Sequence, residues 1–97
     1  MTTLILPLTV DPVNQSKVLD MLRDNIHTVI RTLDGWIATN LIATADGTRI
    51  VIHSQWRDAA AVKAMQTDPR MVAYYPKLAA LATIEAIMGD VVHAAKP

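Results

Sequence analysis

Leu4, Leu6, Leu8 and Val10 alternate with Thr3, Ile5, Pro7 and Thr9, the period of two that predicts a strand. Pro7 has no N–H to give a ladder, so a bulge or an unpaired position is expected there. Asp11-Pro12 then opens a helix, with a capping carboxylate and a residue pre-set for the first turn. Val18, Leu19, Leu22, Ile26, Val29, Ile30 and Leu33 recur at helical spacing, while Lys17, Asp20, Arg23, Asp24, Asn25, Thr28 and Arg31 fill the other faces. Asp34-Gly35 ends this helix, glycine being suited to the left-handed residue after a helix.

Trp36 to Thr44 reads as a second strand and Arg49 to Trp56 as a third, joined by Ala45-Asp46-Gly47-Thr48, whose Asp-Gly is a strong hairpin signal. Asp58 caps a helix through Ala59–Gln66. Asp68-Pro69 starts another that runs to Tyr75 before Pro76 interrupts it, and Leu78 and Leu81 suggest one more turn. Thr83 to His93 reads as a final strand weakened by Gly89. The order β-α-β-β-α-β is the split-βαβ, ferredoxin-like layout: an α+β fold with an antiparallel four-stranded sheet and helices on one face. A chain of 97 residues leaves no room for a second core, so residues 1–97 are expected to form one domain.

The strands are apolar on both faces. In the third, Ile50, Ile52, Ser54 and Trp56 point one way and Val51, His53 and Gln55 the other; in the second, Ile37, Leu41 and Ala43 oppose Trp36, Ala38, Asn40 and Ile42. An antiparallel sheet with helices on one side should have a wet second side. Composition agrees with a shortage of polar surface, since 52% of residues are hydrophobic and 19% charged. The expected remedy is a second copy packed on the bare face.

Nine basic residues balance nine acidic ones, with no basic stripe to release counterions from nucleic acid and no Lys/Arg-flanked apolar helix for a membrane surface. The absence of cysteine removes disulfides and thiolate chemistry. The N-terminus lacks a positive stretch ahead of its apolar run, so no signal peptide is expected, and no apolar run approaches the ~20 residues of a bilayer span. The expected location is the cytoplasm.

The segment from Asp46 to Asp58, with its hairpin and strand-ending Gln55-Trp56, resembles the antibiotic biosynthesis monooxygenase family. Gly35 fits as well, and Thr67-Asp68-Pro69-Arg70 resembles a loop of the anthrone-oxidising polyketide branch. The resemblance implies a homodimer whose sheets join into a barrel, with a pocket in each subunit between sheet and helices. It also implies a monooxygenase that needs no metal, flavin or haem, in which a small phenolic, anthrone-like or quinone-related substrate loses a proton and itself reduces O2. Two positions depart from that branch. Ile52 stands where it carries an Asn four residues before the tryptophan, and Val62 where it can carry a Tyr six residues after. Met65 and Gln66 occupy the helix where haem-degrading relatives need an axial His, and the first strand has Pro7 or its neighbours where they need an Asn; this rules out that activity.

By this likeness Trp56 lines the pocket beside Ile52 and Ser54, its indole offering an apolar wall and an N–H donor. The alternative for Trp56 is a core residue, as it is for Trp36. His53 could take a phenolic proton near neutrality, yet its parity points toward the bare face, so a hydrogen-bonded structural histidine is the competing role. Asn40 could bond a ligand or lie at an edge. Tyr74 and Tyr75 fall where the family covers its pocket mouth, and Tyr75 could position a substrate oxygen. Met65 and Met71, with Val62, could form an adaptable lining or simply fill the core. His27 and His93 read as solvated. Two other functions fit the same residues: a dimeric protein that binds aromatic ligands without turnover, and a polyketide cyclase or isomerase.

Overall fold

The computed structural model describes all of residues 1–97. Its strands are β1 (Thr2–Val10), β2 (Trp36–Ala43), β3 (Arg49–Trp56), β4 (Ala82–Ile84) and β5 (Ile87–Asp90); its helices are α1 (Gln15–Thr28), α2 (Ala59–Thr67) and α3 (Pro69–Ala79). The architecture is α+β, with one antiparallel sheet in the order β2-β3-β1-β4 and β5 also paired to β1. The expected fourth strand is therefore two strands, and Pro7 is the reason. β4 pairs with Leu8–Val10 and β5 with Thr2–Ile5, leaving a gap opposite Leu6 and Pro7. The Pro7 carbonyl accepts from the Glu85 N–H at 2.9 Å, so this residue's backbone faces the C-terminal strand. With no N–H to return, the ladder breaks there. On its other side Pro7 pairs with Val51 in unbroken register, without the expected bulge.

The first helix is shorter than its periodicity predicts. Asp11 caps a 3₁₀ turn over Pro12–Asn14 through the Val13 N–H (3.0 Å), and a second such turn, Ile30–Thr32, follows α1. The helix stops at the β-branched run Thr28-Val29-Ile30, where the Thr28 hydroxyl donates to the Asp24 carbonyl at 2.8 Å. Gly35 (φ +84°) then turns the chain into β2. A Cβ there would lie 2.5 Å from the Ala61 Cβ, so only glycine lets β2 begin this close to α2. Pro76 does not interrupt α3, which continues to Ala79. The carbonyl it deprives of a donor belongs to Val72, on the exposed side of the helix, where water can serve it.

A bulge between Trp36 and Ala38 corrects the parity expected at the start of β2. Trp36 comes opposite Trp56 and packs on the helix-side core, whereas Ala38, Asn40 and Ile42 stay with Gln55, His53 and Val51 on the bare face. The core has two halves. One gathers Leu4, Ile30, Trp56, Val62, Met65 and Met71, the other Leu8, Val10, Val18, Leu22, Ile50 and Leu78; Leu6 and Tyr74 pack against both.

Candidate active site

A cavity of about 50 Å³ lies at the seam between the two halves of the core, enclosed by β1, β2, β3, α1, α2, α3 and the turn after α1. Of its fifteen lining residues twelve are hydrophobic, and none carries a carboxylate, an imidazole or an amine. Trp56 forms one wall from the last position of β3 and is 1% exposed. Its Nε1–H donates to the Ser54 hydroxyl at 3.1 Å, and that hydroxyl donates to the Leu4 carbonyl at 3.1 Å. The indole N–H is thus committed within the protein, and the residue presents a flat apolar surface. Ile52 adjoins it on the sheet floor, with Met65 from α2 and Met71 from α3 opposite.

The polar groups on the helix side are poorly partnered. The Asn25 amide, from the last turn of α1, is 8% exposed and donates only to the Met71 sulfur at 3.5 Å. The Tyr75 hydroxyl donates to the Met65 sulfur at 3.3 Å. The Tyr74 hydroxyl is buried with no partner. Burial, reinforced by the charge of Asp24 and by Tyr75, pushes the Tyr74 phenol up to about 12, and burial raises that of Tyr75 as well. Both stay protonated at neutral pH and present O–H donors. Asn25 and Tyr74 also border an outer cleft between α1 and α3, flanked by Asp24, Thr28, Arg70 and Lys77. They form the partition between cavity and exterior.

The structure brings Trp56, Ile52, Ser54, Met65, Met71, Tyr74 and Tyr75 together around this cavity. Four residues expected at the site lie elsewhere. His53 is half-buried across the sheet, in a groove with Thr3, Ile5, Ile87 and Asp90. Asn40 is its neighbour in register and is exposed; strand alternation carries both away from the cavity. Val62 is sealed in the core behind Trp56. Trp36 packs on the same cluster, its Nε1–H bonded to the Thr39 hydroxyl at 2.8 Å, and it is Thr39 that reaches the lining. Asn25 was expected on the polar face of the first helix. Its spacing of seven from Val18 and three from Leu22 puts it on the apolar stripe, and that spacing was the available signal.

No group of three His, Asp or Glu side chains is arranged to hold a metal ion, and no helix is long and apolar enough to cross a membrane. The fold is thus a small α+β scaffold with an apolar slot between its sheet and its helices. Residues 1–77 match the antibiotic biosynthesis monooxygenase family, and the chain belongs to it. Tetracenomycin-F1 monooxygenase of Streptomyces glaucescens is 28% identical over 91 residues, covering 94% of this chain and 81% of its own. The structure of a monooxygenase from the gene ActVA-Orf6 of Streptomyces coelicolor, in complex with nanaomycin D, superposes with a TM-score of 0.90 at 24% identity, over 99% of this chain and 91% of that one. SnoaB of Streptomyces nogalater, described as a cofactor-independent oxygenase, superposes with a TM-score of 0.79 at 19% identity, over 96% and 94%.

Proposed function

We propose that this chain is a monooxygenase that uses O2 without metal, flavin or haem on a small aromatic substrate of phenolic, anthrone-like or quinone-related type, and that it works as a homodimer. The observation that carries this reading is the cavity itself: an apolar slot, walled by Trp56 and Ile52, in which hydrogen-bond donors lack oxygen partners. The family and the oxygenase names of its relatives support it.

An activated phenol or anthrone that has lost a proton is itself the reductant. At an anthrone-type methylene, CH2 and O2 become C=O and H2O: two C–H bonds break, one oxygen atom is retained and the other leaves as water. The protein contributes position and environment. The flat wall of Trp56 and the adaptable thioethers of Met65 and Met71 orient the ring, and the apolar lining keeps water from the carbanion. Because the lining holds no carboxylate, imidazole or amine, the substrate's proton passes to solvent water before the ring is enclosed. A cavity of about 50 Å³ holds only a few waters, so a ring system enters by displacing the side chains of the helix side.

Oxygen uptake by chelator-treated, flavin-free protein supplied with an anthrone or a hydroquinone tests this reading. Uptake above the protein-free blank, with quinone formed in equal amount, is expected. Ligand that binds and is recovered unchanged would establish a binding protein instead. Product formed under strict anaerobiosis would establish a cyclase or isomerase.

A further inference from the structure

The two polar positions of the anthrone-oxidising branch are Ile52 and Val62 here, and the Trp56 N–H is spent on Ser54, so on the sheet side only the Thr39 hydroxyl, which accepts from the Trp36 N–H, has a proton left to give. The other donors without an oxygen partner come from α1 and α3. A thioether is a weak acceptor, and a buried hydroxyl with none is a standing cost to the fold. The buried side-chain polar atoms with no partner are the Tyr74 hydroxyl and the Thr3 hydroxyl, the latter across the sheet beside His53; with Asn25 and Tyr75 bonded only to sulfur, this one cavity gathers three under-partnered donors, which mark a place meant for oxygen atoms from outside. We propose that Asn25, Tyr74 and Tyr75 are the anchoring donors of the cavity, resting on sulfur or on nothing until they bind the acceptor oxygens of an aromatic ligand. They would select ring systems that carry two or more such oxygens on the edge facing α1 and α3.

This inference rests on the cavity being the aromatic site, and it adds where the oxygens go. Asn25 and Tyr74 also border the outer cleft, so the oxygenated edge lies toward the exterior and the bare rings lie against Trp56 and Ile52. Both tyrosines remain protonated and would stabilise a phenolate or quinone oxygen, lowering the pKa of a bound phenol.

Equilibrium dialysis of naphthalene and of 5-hydroxy-1,4-naphthoquinone against the ligand-free protein tests the assignment without requiring turnover. The wild-type chain should prefer the quinone by about tenfold or more, the scale of one or two buried hydrogen bonds. Tyr74→Phe and Asn25→Leu should each erode that preference several-fold. Ligand-free Tyr74→Phe should melt no lower than wild type, because the hydroxyl it loses has no partner; a merely structural tyrosine hydroxyl would lower the midpoint. Equal affinity for the two ligands, or a preference untouched in Tyr74→Phe, would overturn the assignment alone. Failure of both ligands to bind wild type would overturn the aromatic site and the assignment together.

Discussion

A tryptophan whose N–H already bonds a serine has only its ring to offer a ligand. Trp56, Ser54 and the Leu4 carbonyl form one buried relay in which each donor has a single acceptor. Ser54→Ala leaves the indole N–H orphaned in a dry core and should cost about 1–3 kcal/mol, measured by urea denaturation. At this scale the sequence was legible where alternation decides orientation, since the parity of β3 places Trp56, Ser54 and Ile52 together and sends His53 across the sheet. It was illegible at Asn25, whose polar chemistry argued for solvent while its spacing argued for the core. The residues also predict a pH profile. With no base in the lining, the rate of oxygen uptake should rise with the substrate's own ionisation alone, and His53→Ala should leave that profile unchanged. A rate limb that vanishes with His53 would show that the imidazole takes the proton.

Single residues set the lengths of the elements. Pro7 splits the last strand, the run Thr28-Val29-Ile30 stops α1, and Gly35 admits β2 beside α2. Gly35→Ala would force a side chain into a left-handed conformation, at roughly 1–3 kcal/mol, and into the Ala61 methyl as well. A fall in the thermal midpoint larger than any surface substitution gives is expected, and a neutral result would show that β2 can retreat from α2. The hairpin between β2 and β3 carries an acid-sensitive clasp. The Asp46 carboxylate accepts from the Thr48 N–H (3.0 Å), the Thr48 hydroxyl (2.7 Å) and the Thr44 hydroxyl (2.8 Å), which hold it at about 2. A carboxyl depressed in the folded state stabilises above its unfolded pKa and loses that contribution as pH falls toward the folded value. Stability should therefore decline between about pH 4 and pH 2, and Asp46→Asn should flatten that part of the acid limb in denaturation measured against pH. The Asp-Gly signal announced this hairpin. The bulge at the start of β2 was hidden, because it depends on how Trp36 packs against a core assembled from distant segments.

The whole molecule keeps one face of its sheet bare. Ile42 on that face is 53% exposed, Ile87 is also exposed, and His53 and Val51 lie between them. Two-sided apolar strands made this visible in the sequence, and a second copy is the proposed cover. Ile42→Lys should shift the chain toward single copies in sedimentation while leaving ligand binding by an isolated subunit intact; an unchanged sedimentation coefficient would place any contact elsewhere. The dimensions of the cavity were beyond the sequence, because they depend on how two halves of a core meet at Leu6 and Tyr74. That cavity is the centre of the account, and blocking it is the direct test. Ile52→Trp fills the slot from the sheet floor without touching a hydrogen bond, and its folding can be checked by circular dichroism. Oxygen uptake with 1,8-dihydroxyanthrone, compared between the metal-free wild type and this variant, should show one O2 consumed per quinone formed in the former and only the protein-free background in the latter. Undiminished uptake in a folded Ile52→Trp would contradict the account, because the chemistry would then take place somewhere other than beside Trp56.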